Sequence, residues 1–230
     1  MRRVTFAVDI DGTITENGGG RIHLGALSCL RHMADIGHNV IFVSGRSSVE
    51  GFLLSIFGGT TKIAVGENGG CITTEPFEHI LLGNKQKCID AFNALKLEFD
   101  CVEEKIVFPR LTEVVLERTF DIDSAKQYLS KKSDVILSDS QYAFHINSNG
   151  INKGMGFQKV MEMLNISGDD VIAIGDSQTD VPLFKIAKTS IALANSSDDV
   201  KSEATIVTCA ASGDGVIEAM DLLAPKLSQV

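Results

Sequence analysis

Positive charge is scarce in this chain. Its 21 lysines and arginines stand against 30 aspartates and glutamates, a formal net charge of −9. A nucleic-acid surface needs clustered Lys and Arg to neutralise phosphates, so this balance argues against one, and Lys131-Lys132 reads as a solvated helix end. Paired cysteines are also missing. Cys29, Cys71, Cys88, Cys101 and Cys209 are odd in number, scattered and without a C-x-x-C pair, which reads as reduced thiols in a cytoplasmic protein. Long apolar runs are absent as well: the stretch behind Arg2-Arg3, which imitates the start of a signal peptide, is interrupted at Asp9. Nothing approaches a membrane span, so neither a nucleic-acid nor a membrane partner is expected. No solenoid repeat or low-complexity tract occurs, and G-x-x-x-x-G-K-[ST], G-x-S-x-G and H-E-x-x-H are all lacking. Gly213-Asp214-Gly215 is too little for a dinucleotide fingerprint and reads as the start of the last helix.

What is present is enough apolar sequence, 44% of 230 residues, to bury a sizeable core. Apolar, β-branched runs at residues 3–8, 39–43, 62–65, 171–174, 190–193 and 205–207 read as buried strands. Helical patterns alternate with them. Leu24, Leu27 and Leu30 mark one helix closed by Gly37; Val49, Leu53 and Ile56 mark another closed by Gly58. Phe157, Val160, Met161 and Leu164 form a third stripe, and Val216, Ile217 and Met220 a last one. This alternation predicts an α/β fold with a doubly wound, mostly parallel sheet. The middle third breaks the rhythm: residues 82–149 read helix, strand (105–108), strand (113–117), helix, strand (134–137), strand (142–146). Such an order predicts a small α+β domain inserted into the first, entered through residues 69–73 and 79–82. Residues 17–20 read as a tolerated surface loop.

Chemistry-bearing residues gather at the carboxyl ends of the predicted parallel strands, where open α/β sheets bind ligands. Asp9 and Asp11 end the first strand. Two ionised carboxylates about 6 Å apart repel by roughly 3 kcal/mol at an effective dielectric near 20, so a bound cation or a proton-shuttling reaction would use a pair that a structural role avoids. Ser44-Gly45-Arg46 follows the second strand and opens a helix, which suits either an N-cap or an anion such as phosphate. Lys153 in Asn152-Lys153-Gly154 stands at a helix start, where its charge adds to the positive helix end. Gly175-Asp176-Ser177-Gln178-Thr179-Asp180 follows the 171–174 strand with two more carboxylates. Asp9, Asp176 and Asp180 supply the oxygen donors that Mg²⁺ prefers, and Ser44 and Lys153 the contacts for a phosphate; together they suit phosphoryl transfer, where catalysis is mostly positioning and charge neutralisation.

In that order, D-I-D-G-T, V-S-G-R, N-K-G and G-D-S-Q-T-D resemble the four signature motifs of the haloacid dehalogenase (HAD) phosphatase superfamily, and the match spans the whole chain. The insert resembles the C2-type cap of the Cof-like branch in a short αββαββ form. The resemblance implies a Rossmann-like hydrolase core, residues 1–81 and 150–230, and a C2-type cap, residues 82–149. In length, cap size and the Gly66-Glu67-Asn68-Gly69-Gly70 loop the chain is similar to archaeal phosphoglycolate phosphatases. The implied roles are these: Asp9 is the nucleophile that forms an aspartyl-phosphate, and Asp11 the general acid and then base. Thr13 fixes the loop, and Ser44 and Lys153 hold phosphoryl oxygens. Asp9, the Asp11 backbone carbonyl, Asp176 and, directly or through water, Asp180 hold Mg²⁺. Transport ATPases of the superfamily carry threonine at the place of Asp11. The expected activity is Mg²⁺-dependent hydrolysis of a small phosphorylated metabolite, 2-phosphoglycolate first, with a sugar phosphate, a phosphomutase reaction and a non-catalytic metal- or phosphate-binding module as alternatives. In the cap, Arg110 and His145 stand out: Arg110 as a partner for a substrate carboxylate or a surface charge, His145 as a ligand or a satisfied sheet residue.

Overall fold

The computed structural model describes residues 3–16, 20–131, 134–140 and 142–227. Arg2, Lys132 and residues 17–19 of the expected surface loop lie outside the described residues. The chain runs β1 (Thr5–Val8), α1 (Leu24–Asp35), β2 (Asn39–Val43), α2 (Ser48–Gly58), β3 (Ala64–Gly66), then a hairpin of β4 (Cys71–Glu75) and β5 (Glu78–Leu81). The middle third contributes α3 (Lys85–Glu98), β6 (Val114–Leu116), α4 (Ile122–Ser130), β7 (Val135–Asp139) and β8 (Phe144–Ser148). The alternation then resumes with α5 (Lys153–Leu164), β9 (Val171–Gly175), α6 (Val181–Phe184), β10 (Thr189–Ala192), α7 (Asp198–Ser202), β11 (Ile206–Val207) and α8 (Ser212–Leu227).

Eight strands form one sheet in the order β11-β10-β9-β1-β2-β3-β4-β5. Every pair from β11 to β3 is parallel; β3, β4 and β5 pair antiparallel. Successive strand residues point to opposite faces, and both faces are buried. Phe6, Val8, Phe42 and Ile174 pack with Leu30 of α1 and Val216 and Met220 of α8. Ala7, Ile41, Val43 and Ala173 pack with Phe157 and Val160 of α5. This double burial explains why the strands read as continuous apolar runs. The chain winds outward from β1 through β2 and β3, then restarts on the other flank of β1 with β9. The β1/β9 boundary is therefore the switch point where the crevice opens.

The second sheet has three antiparallel strands in the order β6-β8-β7. Its apolar face, with Leu116, Leu137 and Ile146, is covered by Cys88, Ala91 and Leu95 of α3 and Ala125 and Leu129 of α4.

Two expectations need correction. Residues 105–108 form no strand: a lone bridge joins Glu104 to Leu116, and beyond it Ile106 and Phe108 are exposed. Their β-branched and aromatic composition matched a strand, but Pro109 lacks an amide to continue a ladder, and the chain turns toward the first sheet instead. Residues 69–73 and 79–82, expected only as entry segments, supply β4 and β5, which extend the large sheet. Their period is short and polar, with Thr73, Thr74 and His79 in the hairpin, so hydrophobicity alone concealed them.

Candidate active site

Val8 of β1 lies in register with Ile174 of β9, and the Asp9 amide donates to the Ile174 carbonyl at 2.9 Å. The loops that leave the two strands are thereby forced together. Gly12 makes this approach possible: its φ is +76°, and a Cβ there would sit 2.2 Å from Asp176 Oδ2. Thr13, fully buried, points its hydroxyl at Asp9 Oδ2 (3.4 Å) and Asp176 Oδ1 (3.5 Å).

Lys153 is the first residue of α5, whose N-cap Asn152 accepts from the Met155 amide at 3.0 Å. The neighbouring loop comes close because Gly69, at φ +101°, lacks a Cβ that would otherwise sit 2.0 Å from the Asn152 carbonyl. Lys153 Nζ donates to Asp9 Oδ1 and to Asp180 Oδ1, each at 2.7 Å, and is 2% exposed. Burial alone would depress this ammonium; the charges of Asp180 and Asp9 reverse that and hold it above its ordinary value. The Asp180 Oδ2 atom is committed to the loop itself, accepting from the amides of Asp176 (3.2 Å) and Ser177 (3.0 Å) and from Ser177 Oγ (2.9 Å).

Asp9, Asp176 and Asp180 each offer a carboxylate oxygen within 4.8 Å of the others. One ammonium does not balance three carboxylates in this buried place. Burial pushes the Asp9 carboxyl well above its ordinary range, and the Asp180 and Asp176 charges oppose the relief that Lys153 gives. Burial, aided by Asp180, pushes Asp176 up to about 7. Crowded carboxylates whose mutual repulsion is unrelieved form the all-oxygen donor set that a hard divalent cation takes, so the residues fit such an ion.

Ser44 is buried; its amide donates to the Val65 carbonyl at 2.9 Å, and its Oγ accepts from the Arg46 amide at 3.1 Å. The helix cap is not Ser44 but Ser47, in a reciprocal box with Glu50. That leaves the Ser44-Gly45-Arg46 turn between β2 and α2 rather than inside the helix. Asp11 does not join the three-carboxylate cluster: Arg46 binds its carboxylate through Nε and Nη2 and reaches Glu50 Oε1 at 3.1 Å through Nη1.

In the middle third, Arg110 is no surface charge. Its side chain is 8% exposed, and Nη1 donates to the Gly45 carbonyl at 2.8 Å and lies 3.3 Å from Glu113 Oε1. His145 is a satisfied sheet residue, with Nδ1 3.2 Å from Glu113 Oε2 and Nε2 3.0 Å from Ser140 Oγ.

Three contributors were given no role by the sequence reading. Asn195 donates to Asp176 Oδ2 (2.8 Å) and the Gly12 carbonyl (3.0 Å), tying the two acidic loops; its place just beyond the apolar run 190–193 was the available signal. Glu67, at φ +55° and fully buried, accepts from the amides of Leu111 and Thr112 and from Thr112 Oγ1. Burial raises its carboxyl although those donors pull the other way. Glu113 is fully buried and carried no sequence signal beyond its strand.

Residues 6–108 and 102–220 match the haloacid dehalogenase-like hydrolase family. The chain belongs to that family. The hydrolase is 68% identical over 231 residues to the phosphoglycolate phosphatase of Nitrosopumilus maritimus, across 100% of both chains. It is 35% identical over 225 residues to the phosphoglycolate phosphatase of Methanosarcina mazei, across 97% of each. In fold it is similar to the crystal structure of Thermoplasma acidophilum 0175, with a TM-score of 0.86 at 20% identity, covering 96% of this chain and 100% of that one. HAD phosphatases generally use a divalent metal, and the Asp9, Asp176 and Asp180 cluster offers such an ion a place. Among the described residues, no helix is long and apolar enough to cross a membrane.

Proposed function

We propose that this hydrolase cleaves 2-phosphoglycolate to glycolate and inorganic phosphate in the cytoplasm, with Mg²⁺ as its metal. The observation that carries this reading is the Lys153 bridge: one buried ammonium at 2.7 Å from both Asp9 and Asp180 offsets part of the repulsion among the carboxylates and ties Asp9, the nucleophile in this reading, to the loop of Asp180 beside the β1/β9 switch point. Identity of 68% along the whole length of a phosphoglycolate phosphatase supports the substrate.

In this reading residues 1–81 and 150–230 are the catalytic core and 82–149 the cap. Asp9 attacks phosphorus; its new P–O bond forms as the bond to the glycolate oxygen breaks, and Asp11 delivers a proton to that oxygen. Asp11 then takes a proton from the water that attacks the aspartyl-phosphate, releasing phosphate and restoring Asp9. Ser44 and Lys153 hold the phosphoryl oxygens, and Arg110 faces the substrate carboxylate. Asp9, the Asp11 carbonyl, Asp176 and Asp180 would hold Mg²⁺, which supplies charge neutralisation on the transferred group.

The test is free-phosphate release from a panel of phosphorylated metabolites with purified protein, in Mg²⁺ and after metal removal. Highest kcat/KM on 2-phosphoglycolate is expected. A sugar phosphate at the head of the panel would replace the substrate. Phosphoryl migration with no free phosphate would make the protein a mutase, and no reaction on any ester would make it a binding module.

A further inference from the structure

A buried polar cluster joins the cap to the Ser44-Gly45-Arg46 turn, and of its members the reading above uses Arg110 alone. Glu113 lies at its centre, with no exposure. Its Oε2 accepts from Asn147 Nδ2 at 2.8 Å and faces His145 Nδ1 at 3.2 Å, and Lys85 Nζ donates to its backbone carbonyl. Its other oxygen, Oε1, has no hydrogen bond although it is buried; the nearest charge is Arg110 Nη1 at 3.3 Å. Arg110 Nε is likewise buried and without a hydrogen-bond partner.

This is a poor way to build a stabilising ion pair. Arginine and a carboxylate normally meet as a fork, two parallel N–H···O bonds. Here the fork is not made. The guanidinium is instead held at two points of different kind, a carboxylate on the cap side and the neutral carbonyl of Gly45 on the core side. Buried polar groups left unpaired call for an explanation, and function is one. A neutral carbonyl is a weaker acceptor than an anion, so a substrate carboxylate arriving beside the Ser44-Gly45-Arg46 turn would take Arg110 from Gly45 while Glu113 keeps its hold. Two fixed donors on Oε2 keep the Glu113 carboxylate from rotating, so the point from which Arg110 is hung is rigid.

We propose that Glu113 is a positioning residue for substrate selection: it suspends Arg110 over the phosphate turn so that the enzyme favours phosphomonoesters carrying a second, carboxylate charge. Asn147 and His145 fix Glu113. This rests on the phosphoglycolate reading above.

The test compares 2-phosphoglycolate with p-nitrophenyl phosphate, which has no carboxylate, for wild type, Glu113→Gln, Arg110→Ala and the double variant. Glu113→Gln should raise KM for 2-phosphoglycolate and lower its kcat/KM by about tenfold, the size expected for one mis-set charge-assisted contact, with a several-fold smaller loss on the aryl ester. In the double variant the two losses should not multiply, because both act on one contact. Glu113→Asp should recover part of the preference. Equal losses on both esters, or losses that multiply, would overturn the proposal and return Glu113 to a structural role. If Glu113→Gln melts well below wild type, Asn147→Ala carries the same comparison, since it removes one donor that orients the carboxylate. A wild type with no preference for carboxylate-bearing esters would instead overturn the substrate reading, and is visible before any variant is made.

Discussion

Arg46 grips both oxygens of Asp11: Nε to Oδ2 and Nη2 to Oδ1, each at 2.7 Å. The pair is 35% and 42% exposed, so it adds little to stability. Its effect is orientation. A planar fork fixes both the place and the plane of a carboxylate that is proposed to pass a proton in each half-reaction. Arg46→Lys keeps the charge and loses the fork, and should lower kcat by about tenfold while leaving the melting temperature near wild type. Steady-state phosphate release together with thermal melting checks this; wild-type turnover would mean that the fork has no part in catalysis.

The two N-terminal carboxylates should fail differently when neutralised. Asp9→Asn removes the nucleophile and should leave no acid-stable phosphoryl label on the protein. Asp11→Asn keeps Asp9, so it remains open to phosphorylation but should turn over slowly for want of a general acid and base. Rapid-quench labelling with radioactive substrate separates the two. Label retained by Asp9→Asn at that position, or near-wild-type turnover in either variant, would contradict the assigned roles.

Removing divalent metal should abolish turnover, and Mg²⁺ should restore it. A readout independent of activity is available: a ligand that binds only the folded state at a hundred times its Kd stabilises it by about 2.7 kcal/mol. Saturating Mg²⁺ should therefore raise the melting temperature of wild type, and much less that of Asp176→Asn. An unchanged melting temperature in wild type would remove the metal from the Asp9, Asp176 and Asp180 cluster.

Glu113 should also mark the acid limb of stability. Burial pushes its carboxyl up, but the His145 hydrogen bond and charge, the Arg110 charge and the Asn147 amide outweigh burial and hold it below the ordinary value of 4.5. A carboxyl lowered by folding stabilises the protein fully above its unfolded-state value, and that contribution is lost as pH falls through the lower folded value. The melting-temperature gap between wild type and Glu113→Gln should thus be widest near neutrality and close as the medium is acidified below 4.5. Glu67 slopes the other way; it is raised first by its burial and in smaller part by the Glu113 charge, so only the part due to burial is common to both proteins and cancels in the difference. A gap that widens in acid would show the sign to be wrong.

Much of this was legible in the amino-acid order. Parallel strands buried on both faces must be apolar throughout, so 39–43 and 171–174 declared themselves, and the acidic and lysine residues at their ends stood out against that background. Residues 105–108 show the limit of such reading. Their composition fits a strand and β6 offers an edge, bridged at Glu104, yet past that bridge the chain leaves β6, and Arg110 reaches the Gly45 carbonyl. The β4–β5 hairpin shows the converse, with polar side chains in strands whose stability comes from the neighbouring edge of β3.

The sequence by itself determined the alternation of strand and helix, the four loops that carry Asp9, Ser44, Lys153 and Asp176, and the chemistry those residue types can perform, because periodicity and side-chain chemistry are local properties. Only the tertiary structure decided that Lys153 bridges Asp9 and Asp180, that Arg46 rather than a cation cluster holds Asp11, that Asn195 ties the acidic loops, and that Arg110 hangs between Glu113 and Gly45. The two Lys153 contacts join residues 144 and 27 positions apart, and separations of that kind are bridged according to which strands lie side by side, a matter of sheet order and packing that no local pattern encodes.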